Sequence, residues 1–173
     1  MRDDSSTWVD LDALALQSGE AERLDLCLRP PAPVISGEEL RLPGGGVDTR
    51  IDVSRTSSGF ALRLRAETAL SGTCSRCLGL AERSLTVDAR EVDQTSADDE
   101  ELLSPYVSEG LLDVNGWLHD AITLSLPERL LCRDECAGLC EICGVSLNEV
   151  DPANHRHAPP PDPRFAKLRE LLD

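Results

Sequence analysis

A chain of 173 residues with a formal charge of −15, 40% hydrophobic and only 3% aromatic residues, has room for one ordinary domain with a small appended module, and too little for two well-filled cores. That acidity argues against a protein whose main business is coating nucleic acid, because such binding rests on many Lys or Arg contacts to phosphate. No run of roughly eighteen apolar residues spans a membrane, and the acidic opening stretch offers no basic lead-in to a secretory signal. The expectation is a cytoplasmic chain, in which an odd total of seven cysteines points to metal binding rather than to a disulfide framework.

In chain order, TWVDLDALALQ (7–17) places Trp8, Leu11, Leu14 and Leu16 at mixed spacing, compatible with a short first element docked on the body. RPPAPVISGEEL and LPGGGVD are rich in breakers and read as loops. DTRIDVSR (48–55) reads as a strand. From Phe60 the sequence alternates, with Phe60, Leu62, Leu64, Ala66, Thr68 and Leu70 on one side and Arg63, Arg65 and Glu67 on the other, which predicts a half-buried antiparallel strand. A second alternating run carries Leu85, Val87 and Ala89, so Cys74 and Cys77 fall at the tip of a long hairpin. The third strand supplies the minimal sheet that an isolated hairpin needs.

The acidic stretch DQTSADDEE (93–101) reads as a solvated loop. Val114, Trp117, Leu118, Ala121 and Ile122 then recur at helical spacing, with Asp113 as the cap and Pro127 beyond the end, predicting about three turns of helix over one face of the sheet. A last helix is expected at PDPRFAKLRELL, capped by Asp162 with Phe165, Leu168 and Leu172 as its stripe. The expected architecture is α+β: residues 1–45 an N-terminal docking segment and loops, 46–131 a small antiparallel β-sheet core with a covering helix, and 132–173 a Cys/His zinc-binding segment ending in a helix.

The chemistry-bearing residues are cysteines and histidines. A Cys-x-x-Cys turn offers two thiolates to a tetrahedral zinc from one tight loop, and this chain has two such turns, Cys74/Cys77 and Cys140/Cys143, the second followed by Gly144, where the backbone folds back toward a metal. Cys132, Cys136, His155 and His157 bring the potential ligands to two complete sets. In one partition Cys140, Cys143, His155 and His157 hold a local ion, while Cys74, Cys77, Cys132 and Cys136 hold another that staples sheet to C-terminal segment. In the other, a single all-cysteine site joins 74/77 to 140/143, leaving the rest as bystanders. Both stay open, for one or two Zn²⁺ ions, beside a third reading in which His155 and His157 belong only to a solvated loop. Cys27, between Leu26 and Leu28, reads as a small buried hydrophobe, and His119 as a packed or exposed helix residue.

CSRCL on a hairpin, DVNGWLHDAITLSLP, CRDECAGLCEICGVSLNE and DPRFAKLRELL, in that order from about residue 60 to the C-terminus, resemble the YceD family of large ribosomal RNA subunit accumulation proteins in its Gram-positive or actinobacterial form. The resemblance implies a cytoplasmic, non-enzymatic role in accumulation or maturation of large-subunit ribosomal RNA. In that family the gene often lies beside that of a small zinc-ribbon ribosomal protein. Carried over, the family's first Cys-x-x-Cys is Cys74 and Cys77, and its C-terminal cluster is Cys132, Cys136, Cys140 and Cys143. Where many relatives have Cys-x-Cys, this chain has His155-Arg156-His157, a swap that keeps ligand capacity.

Residues 54–90 carry six arginines against three acidic residues, a locally basic segment in an acidic body. Arg63, Arg65 and Arg76 are therefore candidate contacts to large-subunit ribosomal RNA or its precursor, and the acidic 93–101 stretch a candidate contact to a basic large-subunit ribosomal protein. The plainer alternatives are an ion-paired strand face and a solubilising insert. A zinc-ribbon nucleic-acid-binding regulator is opposed by the net charge. A thiol oxidoreductase would want Cys-x-x-Cys at a helix N-terminus, whereas both flanks here read as strand. No H-E-x-x-H or comparable acid/base partner accompanies the ligands. Oligomeric state is not written in the sequence.

Overall fold

The computed structural model describes residues 8–42, 44–94, 102–151 and 154–157. Strands β1 (Trp8–Asp10), β2 (Ala21–Leu28), β3 (Val34–Ile35), β4 (Glu38–Glu39), β5 (Val47–Arg55), β6 (Phe60–Thr73), β7 (Leu80–Asp93), β8 (Val107–Ser108) and β9 (Leu111–Asp113) precede the helix α1 (Val114–Leu124). Every pairing between strands is antiparallel. The main sheet has the order β2-β5-β6-β7, and a three-stranded sheet β1-β9-β8 and the β3-β4 hairpin complete the set. The described residues are thus mostly antiparallel sheet with one α-helix, an α+β architecture.

Period-two alternation builds the centre as expected. Val47, Ile51 and Val53 of β5 and Phe60, Leu62, Leu64, Ala66 and Leu70 of β6 are all buried, with Thr49 on the same face, while the residues at alternate positions point to the opposite face. Each aliphatic side chain taken fully from water contributes about 1.5–3 kcal/mol, which makes this face, rather than the few aromatics, the main source of stability. α1 adds Val114, Trp117, Leu118, Ala121 and Ile122 to the same core. Its start is fixed by Asp113, whose Oδ1 accepts from the Gly116 N–H at 3.0 Å, satisfying one of the orphan donors of the first turn. The helix gives way at Ser125, whose Oγ donates to the Ala121 carbonyl.

Several elements are not announced by the sequence pattern. β2 pairs along its whole length with β5, Ala21↔Ser54 through Leu28↔Val47, and makes the sheet four-stranded. The breaker-rich stretch 29–40, expected as loop, contains the β3-β4 hairpin. Its turn residues Ser36 and Gly37 both have positive φ, 51° and 85°, the backbone a two-residue hairpin turn demands. Glu109 and Gly110 repeat that device between β8 and β9. The N-terminal stretch docks by β1 pairing with β9, Trp8↔Asp113 through Asp10↔Leu111, with Leu11 fully buried behind it. At the start of the acidic stretch, Asp93 is a buried end of β7 rather than loop; it accepts from the Ser104 N–H, and the remainder, 95–101, lies outside the described residues. So does the expected C-terminal helix. Among the described residues no helix is long and apolar enough to cross a membrane.

Candidate metal centres

The β6-β7 hairpin ends in the Cys74–Gly79 loop, closed by the Cys74 N–H donating to the Gly79 carbonyl at 2.8 Å. Within it the Leu78 N–H returns to the Cys74 carbonyl at 3.0 Å. Cys140 and Gly144 form the same turn, with the Gly144 N–H on the Cys140 carbonyl at 2.8 Å. The fifth residue needs a left-handed backbone in both, φ 59° at Leu78 and 72° at Gly144, so glycine suits the second turn and leucine is strained in the first.

The structure brings the eight candidate ligands together as two groups, Cys74/Cys77/Cys132/Cys136 and Cys140/Cys143/His155/His157, each with its ligand atoms within 4.8 Å of one another. Of the two partitions open in the sequence, this is the local one plus the staple; the joint 74/77–140/143 site is not formed. In the first group Cys74 Sγ lies 3.8 Å from Cys136 Sγ and Cys77 Sγ 3.6 Å from Cys132 Sγ. A disulfide needs about 2.05 Å, whereas four sulfurs at about 2.3 Å from one tetrahedral ion sit about 3.8 Å apart. In the second group Cys143 Sγ is 3.6 Å from His155 Nε2, and His155 Nε2 is 3.0 Å from His157 Nε2. All seven cysteines are free of disulfides.

The first group is assembled by contacts that do not involve sulfur. The Ser75 N–H and Oγ both reach the Leu130 carbonyl, at 2.9 and 3.2 Å. Arg76 Nη1 donates to the Cys136 carbonyl at 2.8 Å, and Arg83 Nε to the Leu131 carbonyl at 3.2 Å. Arg83 also pairs with Asp134. Asn148, which sequence spacing does not single out, donates from Nδ2 to Cys136 Sγ at 3.4 Å while its Oδ1 accepts from the Ala137 N–H at 2.9 Å. It orients a ligand from outside the ligand set, and its only trace in the sequence is its place in the CRDECAGLCEICGVSLNE run.

Electrostatics distinguish the thiols. At Cys74 burial is the largest single influence and pushes the thiol up, but the backbone N–H groups of Cys77, Cys132 and Arg76 outweigh it and bring it down to about 6. Cys136 is lowered, chiefly by Asn148. Cys132 is pushed up to about 12 by burial and by the neighbouring sulfurs of Cys136, Cys77 and Cys74. Four thiolates cannot share this space without a counter-charge, and the proton held by Cys132 stands where a cation would do the same. In the second group Cys140 is lowered to about 6, by His155 first and then by the N–H groups of Cys143 and Ile142. Both donor sets therefore have the composition and spacing to hold a metal ion.

The arginines expected as RNA contacts are engaged. Arg63 pairs with Asp88 through two bonds of 2.8 and 2.6 Å, Arg65 pairs with Asp52, and Arg76 is turned toward Cys136 as above. Arg23–Asp52 and Arg50–Asp25 extend the lattice across the sheet's outer face. That face bounds a groove of about 770 Å³ whose charged lining mixes Arg50 and Arg65 with Asp25, Asp48, Glu67 and Asp88. Cys27 belongs to this face and not to the core: it is half-buried, and its Sγ donates to the Gly45 carbonyl at 3.2 Å. His119 sits on α1 with Nδ1 3.1 Å from the Pro31 carbonyl, and it belongs to neither cluster.

An antiparallel α+β protein carrying two compact Cys/His groups, one joining a hairpin tip to a distant segment, is the class that fold and site define. The family model for the large ribosomal RNA subunit accumulation protein YceD matches residues 62–172, and the chain belongs to that family. Uncharacterized proteins of Mycobacterium bovis and Mycobacterium tuberculosis are 32% identical over 174 residues, covering 95% of this chain and 80% of theirs. One from Mycobacterium leprae is 34% identical over 104 residues, covering 57% of this chain and 46% of its own. No solved structure matches.

Proposed function

We propose that this chain is a non-enzymatic ribosome-biogenesis factor that promotes accumulation or maturation of large-subunit ribosomal RNA, and that it holds two structural zinc ions, one in each Cys/His group. The family supplies the first half of this reading; its description names an accumulation role and no reaction. The observation that carries the second half is the gathering of all eight candidate ligands into two four-membered sets. Soft thiolate and imidazole donors at tetrahedral spacing favour zinc over hard cations. The zinc would neutralise the thiolates and tie ligand-bearing segments together; the chain's own residues, Asn148, Arg76 and the turn amides, orient the ligands.

Of the two partner classes, a basic large-subunit ribosomal protein fits better than RNA. Arg63 and Arg65 have their charge answered by Asp88 and Asp52, while the molecule as a whole carries −15, which attracts a cationic partner and repels phosphate. Thiol redox chemistry at Cys74/Cys77 finds little support, since strand flanks the pair on both sides. The test is depletion of the chain from its host cell, with large-subunit ribosomal RNA measured against small-subunit ribosomal RNA. The ratio should fall and be restored by the intact chain; an unchanged ratio overturns the role. Metal analysis of the purified chain should give two zinc ions per molecule.

A further inference from the structure

The two candidate centres are built differently. Cys74 and Cys136 are 0% and 1% exposed, and Cys77 and Cys132 are half-buried and pack against the core. Their segments are joined by the Ser75–Leu130, Arg76–Cys136 and Arg83–Leu131 hydrogen bonds, so contacts other than metal–sulfur bonds hold the four sulfurs toward one point. In the second group Cys143 and His157 are exposed, and Cys140 and His155 only half-buried. Among the described residues, the hydrogen bonds of the His155–His157 arm return to Asp151 in its own turn, at 3.0 and 3.1 Å, or stay inside the group. Among the described residues, the ring contacts of His155 and His157 run to cysteines of the group and to each other, with no counterpart of Arg76 or Asn148.

Resting on the two-zinc reading, we infer that the centre of Cys140, Cys143, His155 and His157 is an exchangeable zinc site, gaining and losing its ion with zinc supply while the Cys74/Cys77/Cys132/Cys136 centre keeps its own. Metal leaves a protein when an incoming ligand can reach it and when the departing ligands can swing away. Solvent access is set by the shell around the ions, and preorganised ligands hold a metal that loosely tethered ones release. The second group is open on both counts and the first on neither. The exchangeable ion would tie the His155–His157 arm to the Cys140–Gly144 turn when zinc is plentiful and free it when zinc is scarce, with the sheet intact throughout.

The test uses the full chain reconstituted with zinc and freed of excess. The chromogenic chelator 4-(2-pyridylazo)resorcinol is added and release followed by absorbance, with aliquots alkylated by N-ethylmaleimide and mapped by mass spectrometry. One equivalent should leave faster than the other by on the order of tenfold or more. Alkylation during the fast phase should fall on Cys140 and Cys143 and spare Cys74, Cys77, Cys132 and Cys136. His157→Ala, at an exposed position, should abolish the fast equivalent and keep the slow one. A single rate for both ions, or labelling of the Cys74 group first, overturns the inference. Fewer than two ions after reconstitution overturns the two-zinc reading itself, whatever the rates.

Discussion

Tyr106 is the sole tyrosine of the chain, stacked on Trp117 with centroids 6.2 Å apart and donating its hydroxyl to Asp120 Oδ2 at 3.0 Å. Burial first, and the Asp120 carboxylate second, push its pKa up to about 12. A group raised in the folded state contributes stability below its unfolded value, near 10, and loses it as pH climbs toward the folded value. The phenolate absorbance of the native chain should therefore titrate near 12 and return to about 10 in denaturant; Asp120→Asn should move the native midpoint down. A native midpoint at the ordinary value would mean that the phenol is solvated and the hydrogen bond absent. Gly59 makes a second residue-scale prediction. Its N–H donates to Thr56 Oγ1 and its carbonyl accepts from the Thr56 N–H, closing the β5-β6 turn, and any Cβ there would overlap the Asp93 carbonyl. Gly59→Ala should lower unfolding free energy in urea by about 1–3 kcal/mol, and a neutral result would show that β7 can retreat from the turn without cost.

Among the elements, the outer face of the main sheet is a lattice in which four arginines each lie across from or diagonal to the carboxylate they pair with. Arg23 and Arg65 converge on Asp52, Arg50 meets Asp25, and Arg63 meets Asp88. Arg23 first, with Arg65, holds the Asp52 carboxyl below its usual value of 3.8, and Arg63 does the same for Asp88. A depressed carboxylate stabilises the fold above its unfolded pKa and ceases to as pH falls through the folded one. Asp52→Asn should lower the urea midpoint modestly at neutral pH, less in high salt, and the difference from the native chain should vanish once pH drops well below 3.8. A difference that persists in acid would assign the loss to packing instead. The same lattice explains what the sequence could and could not announce. β5, β6, β7 and α1 were legible because a period-two apolar run, interrupted only at single positions such as Thr49, Thr68 and Arg83, or a cap with helical spacing, leaves one reading open. β2 is an edge strand whose Leu24 and Leu26 are only half-buried and whose Arg23 and Asp25 draw their meaning from β5. The tiny hairpins hang on Ser36-Gly37 and Glu109-Gly110, dipeptides short enough to pass for loop.

For the whole molecule, the two Cys/His groups would, with ions bound, be cross-links of very different span. The pairs Cys74–Cys136 and Cys77–Cys132 bring together residues 62 and 55 apart in sequence, whereas Cys143 and His155 are only 12 apart. The alternative partition could not be rejected from spacing, because which Cys-x-x-Cys meets which partner depends on where β6 and β7 end relative to the segment after α1, a tertiary fact. An ion in the first group closes a loop that includes β7, β8, β9 and α1, and in the unfolded chain a covalent link of that length removes entropy on the order of 4 kcal/mol. The second closes only a short local loop, outside the sheet and the core. Cys136→Ser should therefore lower the thermal and urea midpoints of the whole domain markedly and make them insensitive to strong chelators, while Cys143→Ser should leave both nearly where they are in the native chain. Melting followed at Trp117, which is buried in the core shared by sheet and helix, reports the global event and not fraying of the C-terminal arm. Equal losses from the two substitutions would mean that the second group also braces the sheet, and an unmoved midpoint for Cys136→Ser would mean that the hydrogen bonds from Ser75, Arg76 and Arg83 join hairpin to C-terminal segment without any help from metal.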